Sequence, residues 1–110
     1  MESAQILEIY DSLIRAFPSI ERKGKKTPYT SANTYMSSFI GNDGRMAFRL
    51  SQADIATLIQ DHKAQLMEQH GKVLKDFVAI PDKLLNDTAL LQAYFQKSLD
   101  HTNSLKPKKK

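Results

Sequence analysis

Gly41-Asn42-Asp43-Gly44 is the feature that leaves this chain the fewest ways to fold. Asn, Asp and Gly tolerate the positive φ angles of tight hairpin turns. The tetrapeptide stands between two runs of strand-forming residues, Tyr35 to Ile40 and Arg45 to Leu50. In the second run Met46, Phe48 and Leu50 alternate with Arg45, Ala47 and Arg49, which predicts one buried and one wet face. The first arm is less regular: Met36, Ser38 and Ile40 share one side, and Tyr35, Ser37 and Phe39 the other. An antiparallel hairpin in the first half of the chain demands a sheet, and the flanking sequence supplies helices to cover it.

Upstream, Ile6, Ile9, Tyr10, Leu13 and Phe17 recur at three- and four-residue steps, with Leu7 and Ile14 widening the stripe. This predicts a helix from about Ser3, its N-cap, to Ala16, ended by Pro18. The polar stretch from Ile20 to Thr34 has no helical period, and we read a short edge strand near Ile20 to Lys23 followed by a loop. Downstream, Ser51-Gln52-Ala53-Asp54 has capping-box form and opens a helix with Ile55, Leu58, Ile59 and His62 on one face. Lys63 to Lys72 stays open between a continued helix and a loop dipping Leu66 and Met67 into the core. Val73 to Ile80 reads as a strand with Leu74, Val78 and Ile80 on one face and Val73, Phe77 and Ala79 on the other, stopped by Pro81. Lys83, Leu84 and Leu85 make a helical turn. Asp87 caps a last helix whose stripe is Leu90, Leu91, Tyr94, Phe95, Ser98 and Leu99, reaching about Asn103.

The expected fold is therefore α+β in two layers, helices packed on a curved antiparallel sheet, in the order α-(β)-β-β-α-β-α. With 110 residues there is room for one core. Residues 1–105 are expected to form it, and Lys106 to Lys110 to be a disordered basic tail, since they offer nothing to bury. The chain has no cysteine, which excludes disulfides, thiolate metal sites and cysteine nucleophiles and suits a reducing interior. The first residues lack a signal peptide's basic head and apolar run, so the chain reads as cytoplasmic. No apolar run is long enough to span a bilayer, and no membrane role is expected.

From Lys25 onward, over about three-quarters of its length, the chain resembles the N-terminal domain of the TfoX/Sxy family, and more closely the small stand-alone bacterial proteins built from that domain. The residues that carry the likeness are Lys26-Thr27-Pro28-Tyr29-Thr30-Ser31, then Met36-Ser37-Ser38-Phe39 and Met46-Ala47-Phe48-Arg49-Leu50 of the hairpin. Gly71 follows, with Phe77-Val78-Ala79-Ile80-Pro81-Asp82-Lys83-Leu84-Leu85 and the closing Ser104-Leu105-Lys106-Pro107-Lys108. The resemblance implies helices against a curved antiparallel sheet, and a link to transcriptional regulation, since full-length relatives promote competence-gene transcription. Many members place Met-Phe-Gly-Gly before the hairpin, where this chain has Ala32-Asn33-Thr34-Tyr35-Met36 nearby.

The residues offer little for catalysis. No two of His62, His70 and His101 stand at the i, i+4 spacing of a helical metal pair. No serine sits in a G-x-S-x-G elbow. Asp43 is best explained by the turn, Asp54 and Asp87 by caps, and Asp76 by a wet strand face. No catalytic, cofactor or metal residue is assigned, and the chain is not expected to be an enzyme. An enzymatic role would require the hydroxyl-rich loop from Thr27 to Asn33 to line a concave pocket.

Two basic clusters, Arg22 to Lys26 and Lys106 to Lys110, either contact phosphate or simply solvate an edge and a terminus. The formal net charge is +4, and three of those charges are Lys108, Lys109 and Lys110, so the body is nearly balanced. Candidate contact residues for nucleic acid or a protein partner are Arg22, Lys23, Lys25, Lys26 and Tyr29, with Tyr29 and Tyr35 able to stack on bases. The leading expectation is a non-enzymatic protein-interaction or regulatory module whose partner is another protein or a second copy. The alternative is weak nucleic-acid binding through Arg22 to Lys26.

Overall fold

A computed structural model describes residues 2–24 and 27–107. Among them the element order is α1 (Ser3–Arg15), β1 (Tyr29–Ala32), β2 (Tyr35–Ile40), β3 (Met46–Arg49), α2 (Gln52–His62), β4 (Gln65–Gln69), β5 (Lys72–Ala79), α3 (Asp82–Leu85) and α4 (Thr88–Ser104). The strands form one antiparallel sheet in the order β1-β2-β3-β5-β4, with the helices packed against it, as the α+β reading requires. No helix of the described residues is long and apolar enough to cross a membrane.

The β2–β3 hairpin forms as its turn predicts. The Gly41 amide donates to the Arg45 carbonyl and the Gly44 amide to the Gly41 carbonyl, with Gly44 at φ 85°. The Asp43 carboxylate accepts from the Arg45 amide at 3.0 Å and from its Nε at 2.6 Å. Desolvation works to raise the Asp43 carboxyl, but these Arg45 bonds prevail and hold it below its ordinary value. Ser51 Oγ accepts from the Asp54 amide to open α2, and Asp87 Oδ1 from the Leu90 amide to open α4. For α1 the N-cap is Glu2 rather than Ser3: Gln5 Oε1 accepts from the Glu2 amide, one residue earlier than expected.

The early strand lies elsewhere than expected. Ile20 to Lys23 is not a strand; β1 is Tyr29–Ala32, and Lys23 only bridges to Tyr29, each residue's amide donating to the other's carbonyl. Asn33 and Thr34, at φ 52° and 71°, turn β1 directly into β2. A β-branched threonine is an unfavourable left-handed residue, which is why this turn was unreadable. The open stretch from Lys63 to Lys72 proves to be mostly strand. Lys63 ends α2 in a left-handed conformation at φ 55°, β4 follows, and His70 and Gly71, at φ 54° and 76°, make a two-residue turn into β5. Neither Lys63 nor His70 is a turn residue by type.

Most of the core lies between the sheet and the helices. Tyr10, Phe48, Phe95, Leu58 and Val78 have no measurable exposure. Phe95 of α4 meets Phe48 edge-on, with ring centroids 5.4 Å apart, and Phe17 at 4.8 Å. A chain of buried hydroxyls runs through this layer. Tyr10 OH bonds Ser38 Oγ at 2.7 Å, and Thr30 Oγ1 bonds both Ser38 and Ser37 Oγ. Ser98 Oγ donates to the Ser37 carbonyl, and Thr102 Oγ1 to the Ser98 carbonyl. Ser37 sits where the β1–β2 register shifts, so neighbouring serines both reach the helix side. Burial pushes the Tyr10 phenol up to about 12, its bonds to Ser38 and Thr30 pulling the other way.

Besides that of Ser37, further face assignments change. Ala47, expected on a wet face, is fully buried. Leu74, expected to point with Val78 and Ile80, packs instead with Phe77 and Ala79, because the β4–β5 register shifts between Leu66 and Met67. A bulge resets the two-residue period of a strand, and the sequence carries no mark of it.

Candidate functional site

Of the basic segment singled out in the sequence, Arg22 contacts α1. Arg22 Nε lies 2.6 Å from Asp11 Oδ1, so its charge is already paired within the fold. Lys23 Nζ lies 3.4 Å from Ser31 Oγ. The Lys23–Tyr29 bridge sets these two candidates side by side at the β1 edge. Lys25 and Lys26 lie outside the described residues. So do Lys108, Lys109 and Lys110, while the Lys106 carbonyl accepts from Tyr35 OH at 2.5 Å. Asn33 Nδ2 donates to the Thr102 and Leu105 carbonyls at 3.0 and 2.6 Å, tying the end of α4 to the β1–β2 turn.

Within the hydroxyl-rich stretch from Thr27 to Asn33, Tyr29–Ala32 becomes β1, and Thr30 is fully buried in the hydroxyl chain. A cleft of about 390 Å³ between α1 and the α3–α4 junction takes none of its lining from that stretch. Among the described residues, no three His, Asp or Glu side chains come together as metal ligands.

A different surface stands out. Pleating sends alternate strand residues to opposite faces, and on the face turned from the helices Phe39, Ala47, Met67, Phe77 and Ala79 form a second apolar layer contributed by strands alone. Tyr29 and Leu74 pack against its margin. Phe39 and Phe77 meet nearly edge-on at 5.2 Å. Met67 crosses toward the β2–β3 turn, where a Cβ on Gly41 would stand 2.4 Å from Met67 Cε and 2.9 Å from Gln69 Oε1. The bare glycine lets β4 fold over the layer, and Gln69 Oε1 accepts from the Asn42 amide at 3.2 Å.

Arg49 lies across this layer. Its guanidinium carbon is 4.6 Å from the Phe77 ring centroid and 5.4 Å from that of Tyr35, within cation–π range. Its Nε donates to the Met36 carbonyl at 2.7 Å, and its Nη1 is 3.6 Å from Asp76 Oδ2. Burial pulls the guanidinium below its ordinary value, with Asp76 and Tyr35 opposing. Beside it Met36 is 38% exposed and Asp76 is largely exposed. Sequence reading placed Arg49 on a wet face and missed this cluster. The signal lies in the pairing of Arg49 with Phe77 across β3 and β5, a contact between distant segments.

The structure thus brings Lys23 and Tyr29 together, engages Arg22 with Asp11, and sets Arg49 among aromatic rings on the helix-free face. No protein-family model matches the chain, and no curated protein does.

Proposed function

We propose that this chain is a non-enzymatic regulatory module that works by binding another protein, in keeping with its resemblance to the TfoX N-terminal domain. The observation that carries the reading is the helix-free sheet face, where Arg49 spans Phe77 and Tyr35 beside exposed Met36. Arginine, aromatic residues and methionine are the types that protein interfaces favour. Arg49 is held in place before any partner arrives, which lowers the entropy lost on binding. A second copy is one such partner, since the Arg49–Asp76 ion pair, with Asp76 largely exposed, could exchange partners across a two-fold axis.

The test is affinity capture from the native host, read by mass spectrometry, with wild type and the variants Met36→Asp and Arg49→Ala. Proteins held by wild type and lost from both variants, an untagged second copy included, would support the reading. A captured set that neither variant alters would overturn it.

The second reading is weak nucleic-acid binding, favoured by the placement of Lys23 beside Tyr29. Neutralising four phosphates of duplex DNA would give a log–log salt slope of roughly −3 to −4. A salt titration of wild type and of a Lys23→Ala, Lys25→Ala, Lys26→Ala variant decides it. We expect no slope of that size, because Arg22 is engaged with Asp11. Micromolar binding with the slope reduced in the variant would establish the second reading.

A further inference from the structure

The cleft between α1 and the start of α4 belongs to neither surface. Its volume of about 390 Å³ falls in the range of small-molecule sites. Leu13, Leu85 and Leu91, all nearly buried, form an apolar floor. Glu8, Asn86 and Gln92 stand among the polar groups of its rim. Glu8 is the only ionisable side chain among the described residues that line the cleft, so a chain of net charge +4 presents a negative group here.

We propose that this cleft binds a small amphipathic amine. A primary ammonium carries three N–H donors and no acceptor. The Glu8 carboxylate and the amide oxygens of Asn86 and Gln92 supply acceptors for them, and the charge-assisted bond to Glu8 selects a cation over an anion or a neutral alcohol. The hydrocarbon body lies over Leu13, Leu85 and Leu91, where leaving water is favourable. The site shares no residue with the helix-free sheet face, so it stands or falls independently of the proposed function.

The test is a titration of the full chain with n-hexylammonium, hexanoate and 1-hexanol, following the methyl resonances of Leu13, Leu85 and Leu91 by NMR. Saturable shifts with n-hexylammonium are expected, with a dissociation constant on the order of 1 mM for so small a ligand. 1-Hexanol should bind more weakly, and hexanoate should not bind. Glu8→Gln, an exposed substitution that leaves the fold intact, should weaken n-hexylammonium roughly three- to five-fold, the scale of a solvent-exposed ion pair, and leave 1-hexanol unchanged. The proposal is overturned if n-hexylammonium fails to saturate at roughly tenfold that concentration, if hexanoate binds as well, or if Glu8→Gln changes nothing.

Discussion

The two faces of the sheet are built differently. On one, helices cover the strands, rings from α4 meet rings from β3, and buried hydroxyls fix the register of β1, β2 and α4. On the other, among the described residues, a smaller layer is roofed by its own side chains: Met67 folded over Gly41, and Arg49 laid across Phe77. The first face has spent its apolar surface on holding the fold together. The second leaves Met36 and Asp76 exposed beside a largely covered Arg49. The difference separates the residues that set stability from those available to a partner.

If that division is right, the largest loss of stability belongs to the helix-covered face. Phe48→Ala removes a ring with no exposure and should cost about 3–5 kcal/mol, much of the stability of a domain this small. Thermal melting reads it, and an unchanged melting temperature would break the assignment of faces. On the other face Met67→Ala should cost less, about 2–3 kcal/mol, at the lower end for a buried methionine. A loss equal to that of Phe48→Ala would mean the strand-only layer is a core in its own right.

The hairpin, the cap residues Ser51 and Asp87 and the stripes of α1 and α4 were legible in the sequence, because each rests on local chemistry within a few residues. β1 and β4 were not, because Thr34, Lys63 and His70 adopt left-handed conformations that their residue types do not announce. The faces of Leu74 and Ala47 depend on a bulge and on strand pairing that bring distant segments together. The same holds for Arg49: its ring partners come from β2 and β5. Of the five candidate contact residues, the structure pairs Arg22 internally and sets Lys23 beside Tyr29, while Lys25 and Lys26 lie outside the described residues.

The hydroxyl chain sharpens the comparison through pH. Tyr10 ionises near 12 in the folded protein and near 10 when unfolded. Its folded pKa is the higher, so the stability it contributes is complete below about pH 10 and is lost as pH rises toward 12. Denaturant melts of wild type should therefore weaken across that window by roughly 1 kcal/mol per pH unit more than melts of Tyr10→Phe. Parallel curves for the two proteins would contradict this account of the Tyr10 site. The smallest effect is expected at the exposed edge of the other face: Met36→Asp should alter stability by no more than about 0.5 kcal/mol.

The measurement that bears most directly on the division of labour is hydrogen exchange of the chain, free and bound to whatever partner affinity capture identifies. The account predicts new protection at Tyr35, Met36, Arg49 and Asp76, the strand positions around the helix-free face, and its loss in Met36→Asp. Protection confined to α1 and α4, or to the segment from Arg22 to Tyr29, would place the working surface elsewhere and contradict the account.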